Sequence, residues 1–109
     1  MQYLVEGTGG PGFATPTEAL TVLETEILPG FDALIKMAAE KKILAGGLPV
    51  GDRAFVFIIE AADNDAADKL VRSIPFWPVL TWKVTPLQSF SARAEIERGV
   101  VASLKGSKT

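Results

Sequence analysis

Four charged side chains are the candidates for chemistry in this sequence: Glu24, Glu26, Arg53 and Lys83. On a helical projection Glu24 falls at the edge of an apolar stripe and Glu26 lies farther round the same predicted helix. An apolar wall disfavours the charged form of a carboxylate, which is how a general base is tuned. The alternative is that both glutamates are solvated or paired with lysines, because structural charges are commoner than catalytic ones.

The two cations of this set could stabilise negative charge on a substrate. Arg53 opens a strongly apolar strand and could clamp a carboxylate through two parallel hydrogen bonds, or could pair locally with Asp52. Strand alternation places Lys83 on one face with Thr81 and Thr85. Inside a barrel made by two sheets this lysine would need an anion, whereas at a sheet edge it only improves solubility.

Three aromatic residues are candidates for binding a cyclic or aromatic ligand: Tyr3, Trp77 and Trp82. The alternative is that they form core or dimer contacts, since aromatic side chains dominate both. Trp77 follows Pro75 and Phe76 and precedes Pro78, and this restricted segment makes it the best placed of the three to edge a pocket.

Composition excludes several classes of function. The chain has 109 residues, 48% of them hydrophobic, which predicts one domain with a real core. It has no cysteine and no histidine, so disulfides, thiolate nucleophiles and His-based dyads are excluded, and we expect no metal and no cofactor. A net charge of -2 without a basic stripe argues against nucleic acid as a partner. Without a signal-like N-terminus or a membrane-length apolar run, we expect a cytoplasmic protein with no membrane partner.

Glycines 7, 9 and 12 match the dinucleotide-binding pattern G-x-G-x-x-G. In that pattern the helix begins within the motif, whereas here Pro11 intervenes and the helix signal comes later, at Thr15. The segment is therefore interpreted as a loop over a pocket or as a plain connector.

The order of predicted elements is β-α-β-β-α-β followed by a tail helix. Strands are predicted over residues 2–7, 43–45, 53–60 and 79–87, with helices over 15–42, 63–74 and 90–104 and a kink or break at Pro29. This is the ferredoxin-like α+β plan, an antiparallel sheet with helices on one face. We expect a ferredoxin-like domain over residues 1–89 and a C-terminal helical extension over 90–109. Because the strand 53–60 is apolar on both faces, a second copy is expected to cover the open face and give a homodimer.

One segment resembles a known family. Ile74, Pro75, Phe76, Trp77 and Pro78, followed by Val84, Thr85, Pro86 and Leu87, are similar to the junction of the muconolactone isomerase family. The resemblance implies a dimeric α+β barrel, with larger rings of dimers, and a proton shift on a lactone by a helix-borne glutamate helped by histidine and arginine.

The chain also departs from that pattern, since it has no histidine and Pro29 and Gly30 stand where the helix carboxylate is expected. Two hypotheses follow. The first is a cofactor-independent isomerase acting on a cyclic or aromatic-derived metabolite, with Glu24 or Glu26 moving the proton and Arg53 or Lys83 stabilising the enolate. The second is a non-catalytic ligand-binding or assembly module of the same fold.

Overall fold

The chain folds into a four-stranded antiparallel sheet with helices on one face. The structure is a computed structural model and describes residues 1–10 and 12–107. Along the chain the elements are β1 (Gln2–Thr8), α1 (Pro16–Val22), a π-helical segment (Leu23–Ile27), α2 (Leu28–Ala39), β2 (Ile43–Gly47), β3 (Ala54–Glu60), α3 (Asn64–Arg72), a 3₁₀ turn (Trp77–Val79), β4 (Thr81–Leu87) and α4 (Phe90–Gly106).

The sheet order is β2-β3-β1-β4, which confirms the ferredoxin-like α+β prediction and its additional C-terminal helix. The central strand β1 pairs antiparallel with both neighbours, so that Tyr3 lies opposite Ile59 of β3 and Pro86 of β4. The last strand begins at Thr81, two residues later than predicted, because the chain first makes the 3₁₀ turn that contains Pro78. Proline fixes φ near the helical value, which favours this turn over an extended start.

Two helices begin where the capping residues predict. The Thr15 hydroxyl accepts the backbone N–H of Glu18 at 3.1 Å, and the Glu18 carboxylate accepts that of Ala14 at 3.2 Å. Asp63 accepts the N–H of Ala66 at 2.8 Å at the start of α3. Such caps satisfy N–H groups that have no partner within the helix.

A kink or a break was predicted at Pro29, and the structure shows a local irregularity rather than a break. The preceding turn widens into the π-helical segment Leu23–Ile27, where the N–H of Leu28 donates to the carbonyl of Leu23, five residues back. A proline has no N–H for the regular ladder and its ring crowds the preceding turn. The wider turn absorbs this disturbance, so that α1 and α2 continue as one helical layer.

The core lies between the sheet and the helices and is rich in stacked aromatic rings. Phe76 stacks on Phe55 with ring centroids 4.6 Å apart and on Trp82 at 6.0 Å. Two glycines allow this approach, because a Cβ at Gly30 would lie 1.7 Å from Cδ1 of Phe76 and one at Gly7 would lie 2.6 Å from Cζ3 of Trp82. Glycine is therefore required where the helix and β1 meet these rings.

The second face of the sheet has no helix over it in the part of the chain that the structure describes. On β3, Phe55 and Phe57 are buried against the helices, whereas Val56 on the opposite face is 36% exposed and Ile58 is half-buried. The sequence predicted that both faces of this strand are buried. Within a single chain the helices cover one face, and the other is partly exposed. We call this uncovered surface, centred on Leu4, Val56 and Ile58, the open face.

Helix α4 extends away from the body, and the molecule spans 73 × 27 × 24 Å. Its larger apolar side chains are all exposed, namely those of Phe90, Ile96, Val100, Val101 and Leu104. Within the described residues, no helix combines the length and apolar character needed to cross a membrane.

Candidate functional site

A cavity of about 310 Å³ lies at one end of the sheet, between β3, the helical layer and the surrounding loops. We call it the first cavity. Its walls are almost entirely apolar and include Phe13, Leu23, Ile27, Phe31, Phe55 and Leu80. Concave, mostly apolar spaces with a few polar groups are the usual form of small-molecule sites.

Local features of the chain create this space. Leu23 and Ile27 reach it from the π-helical segment, a form of helix that frequently accompanies functional sites. Gly9 and Gly10 line it from the loop after β1, with φ values of 83° and 123° that favour glycine. This agrees with the interpretation of the glycine-rich segment as a loop over a pocket, although Pro11 itself lies outside the described residues.

The rim of the first cavity carries two charged residues, Asp52 and Arg53. A carboxylate oxygen of Asp52 accepts the backbone N–H of Arg53 at 2.7 Å, and the Asp52 N–H donates to the carbonyl of Pro49 at 3.2 Å. The turn therefore presents an acid and a guanidinium side by side at the start of β3. Such a pair can accept a proton and donate hydrogen bonds to an oxygen anion.

The two helix glutamates have different environments. Glu24 is exposed, whereas Glu26 is half-buried. Oxygen Oε2 of Glu26 is buried and has no hydrogen-bond partner among the described residues. An unsatisfied buried carboxylate oxygen is unusual, because burial removes its water without replacing it. Of the two glutamates predicted to move a proton, Glu26 is the one with a buried carboxylate oxygen that has no hydrogen-bond partner among the described residues.

Lys83 lies on the open face rather than at the first cavity. It stands directly opposite Glu6 of β1, and Thr85 lies on the same face, as strand alternation predicts. Its side chain is exposed. Its predicted role therefore depends on whether another sheet covers the open face.

The three predicted ligand-binding aromatics take part in the packing of the sheet and helices. Tyr3 is a buried residue, and its hydroxyl donates to the side-chain oxygen of Asn64 at 2.9 Å. Burial, followed by the nearby Asp63 carboxylate, raises the pKa of Tyr3. The Trp82 indole N–H donates to the carbonyl of Trp77 at 2.9 Å.

The Trp77 ring has the guanidinium of Arg72 above it, at 4.6 Å from the ring centroid. Trp77 also packs against the core cluster. Among the three aromatics, none belongs to the described lining of the first cavity, and Tyr3 instead borders a separate cavity of about 280 Å³. Their roles in ligand binding remain predictions.

Sequence reasoning treated Asp52 only as a neighbour of Arg53 and did not identify the apolar walls of the cavity. The turn before β3 could have indicated the site from the sequence, since it places two adjacent opposite charges, Asp52 and Arg53, at the start of a buried strand. In the part of the chain that the structure describes, no group of three or more acidic, histidine or cysteine side chains could hold a metal ion.

Comparison with solved structures identifies the fold. Muconolactone isomerase superposes with a TM-score of 0.67 at 16% identity, over 82% of this chain and 90% of that chain. The 5-chloro-2-hydroxyhydroquinone dehydrochlorinase from Burkholderia phenoliruptrix, solved in complex with 2,5-dihydroxybenzoquinone, gives a TM-score of 0.62 at 20% identity, over 84% of this chain and 98% of that chain. The resemblance predicted from residues 74–87 is thereby confirmed at the level of the fold. No protein-family model matches the chain, and no curated protein sequence matches it.

Proposed function

We propose that this protein binds a cyclic metabolite with oxygen substituents in the first cavity and moves a proton on it as a cofactor-independent isomerase. The observation that carries the proposal is an apolar cavity with Asp52 and Arg53 at its rim. The fold shared with muconolactone isomerase, and with a dehydrochlorinase whose ligand is a dihydroxyquinone, supports this class of ligand. The proposal places the protein in the cytoplasm, in the catabolism of aromatic compounds.

The proposed chemistry begins at a carbon next to a carbonyl group of the ligand. A carboxylate removes a proton from that carbon, and the electron pair moves to the carbonyl oxygen to form an enolate. Arg53 stabilises the enolate oxygen by charge-assisted hydrogen bonds, and the same carboxylate returns the proton to a different carbon. We assign this step to Asp52, which lines the first cavity. Glu26, which has an unpaired buried oxygen but does not belong to the described lining, is the alternative carboxylate.

The test is proton exchange in deuterated water, followed by NMR, with muconolactone as the exchange probe. 2,5-Dihydroxybenzoquinone, which has no saturated C–H next to a carbonyl, is the second probe and is used for binding alone, by calorimetry. Removing a general base typically costs 10²–10⁴-fold in rate, so either Asp52→Asn or Glu26→Gln should lower exchange by that order. The matched control is Glu24→Gln, because Glu24 lies on the same helix and is exposed. Equal rates in all three variants and the wild type would refute the assigned bases.

A non-catalytic ligand-binding role is the second candidate, and one observation favours it. Of the four charged residues predicted to be catalytic, only Arg53 lines the first cavity as described. In this case calorimetry would detect binding of the same probes, and Arg53→Gln would weaken it, while no exchange with deuterium occurs. Exchange catalysed by the wild-type protein above the buffer rate would contradict this candidate.

We also propose that the protein associates with itself through the open face, as a homodimer or a larger ring of dimers. Apolar residues left uncovered on a sheet, here Val56 with the half-buried Leu4 and Ile58, commonly mark an interface, and a two-fold dimer is the simplest way to cover them. Sedimentation velocity should show a dimer or larger assembly for the wild type and a monomer for Ile58→Asp. The control is Lys69→Asp on the exposed surface of α3, which should not alter the assembly. A wild-type monomer at micromolar concentration would refute the proposal.

A further inference from the structure

A second cavity, of about 210 Å³, adjoins the first between α2 and the β2–β3 hairpin. The two cavities share three wall residues, Phe31, Leu48 and Phe55. The rings of Phe31 and Phe55 lie 5.5 Å apart, centroid to centroid, and are tilted by 52°. Because the same side chains border both spaces, the two cavities lie next to each other along α2. We call the two together the cleft.

The second cavity differs from the first in the chemistry of its walls. Beyond the shared residues, its described lining consists of apolar side chains and glycine, including Leu34, Ile35, Ala38, Ile43 and Phe57. The first cavity carries Asp52 and Arg53 at its rim. The cleft is therefore polar at one end and apolar throughout the other, which is the pattern that an amphipathic ligand would match.

The volumes support occupation of both compartments by one molecule. Pockets that bind small organic ligands typically measure about 300–1,000 Å³. The first cavity, at about 310 Å³, lies at the lower end of that range and the second, at about 210 Å³, lies below it. Taken together they fall within the range, so the ligand that fills the cleft is larger than a single substituted ring.

We infer that the cleft binds one elongated amphipathic ligand, with an oxygen-bearing ring at Asp52 and Arg53 and an alkyl or second-ring substituent in the second cavity. This inference rests on the proposed function for the position of the ring and adds the class of ligand. It predicts that affinity increases when an apolar substituent is added to a ring that already binds.

The experiment compares 2,5-dihydroxybenzoquinone with its 3-propyl and 3-hexyl derivatives by isothermal titration calorimetry on the 109-residue chain. Each buried carbon of the alkyl chain increases affinity by about fourfold, so the propyl derivative should bind up to roughly sixtyfold more tightly than the parent ring. Equal or weaker binding of both alkyl derivatives, with the parent ring still bound, would overturn this inference and leave the proposed function intact. If no compound binds, the inference and the proposed ring site are both wrong.

Two variants test where the substituent lies. Ala38→Trp and Leu34→Trp add bulk to the second cavity only, because both residues line it and neither belongs to the lining of the first. Each variant should remove the increase in affinity that the alkyl chain gives, and its affinity for the parent ring should stay within about twofold of the wild-type value. Ala39→Trp is the matched control on the same helix, since Ala39 is exposed and lies outside both linings. An alkyl gain that survives in both cavity variants, folded by circular dichroism, would contradict the assignment.

Discussion

Replacing Gly30 by alanine tests the packing that joins the long helix to the aromatic core. The new Cβ would lie 1.7 Å from Cδ1 and 2.1 Å from Cε1 of Phe76. Phe76 is completely buried and stacked between Phe55 and Trp82, so its ring has no free space to move into. Inserting a carbon into such a core costs about 1–3 kcal/mol, and this overlap belongs at the upper end. The better helix propensity of alanine offsets about 1 kcal/mol, which leaves a net loss of about 2 kcal/mol in the free energy of unfolding.

The assay is urea unfolding followed by far-ultraviolet circular dichroism, with a lower midpoint and an unchanged slope expected for Gly30→Ala. Gly99→Ala is the matched control, because Gly99 also lies inside a helix and its Cβ would meet nothing within 4 Å. The free energy of unfolding of Gly99→Ala should equal that of the wild type or exceed it by up to about 1 kcal/mol. Phe76→Leu should lower the free energy of unfolding less in the Gly30→Ala background than in the wild type, because the smaller side chain relieves the overlap. The reasoning is refuted if Gly30→Ala is as stable as Gly99→Ala.

Three further predictions concern local interactions. The pKa of Tyr3 is raised above its ordinary 10.0 in the folded state, so the free energy of unfolding should fall as the pH rises from about 10 through the pKa of the folded state. Unfolding curves at alkaline pH should show a smaller fall for Tyr3→Phe. Asp63→Ala should lower the free energy of unfolding by about 1 kcal/mol through loss of its cap, and Asp65→Ala, which removes no cap, should cost less by the same urea assay. Gly7→Ala should displace the Trp82 ring and shift the tryptophan emission maximum, and an unchanged spectrum would contradict the contact.

The fold was predictable because its signals are local. The capping residues Thr15 and Asp63 mark helix starts directly, and alternating or continuous apolar runs mark the strands. The π-helical segment Leu23–Ile27 was not predictable in this way, because it is one of several responses to Pro29 and packing selects among them. The start of β4 was misplaced for the same reason, since Pro78 is compatible with both a turn and a strand edge.

The candidate site was predictable only in part. Arg53 was identified from its position before an apolar strand, and the structure places it at the rim of a cavity. Lys83 was assigned correctly to a face of β4, but alternation does not tell which face the helices cover. Asp52 was undervalued because a carboxylate beside an arginine in a turn usually means a local contact. Its position at the cavity depends on residues distant in sequence, such as Phe13 and Leu80.

The wall residues and the rim residues of the cleft have different roles because they differ in polarity. The apolar walls offer contact area to a ligand, whereas Asp52 and Arg53, which are exposed at the rim, offer charge and hydrogen bonds. Apart from the rim, the described wall residues carry no acid or base, so they determine which ligand shapes enter and how tightly the ligand is held. Asp52 and Arg53 at the rim can respond to charge that develops on the ligand. Substitutions at Phe31 or Leu48 should therefore change affinity across a series of ligands, whereas substitutions at the rim should change the proton transfer itself.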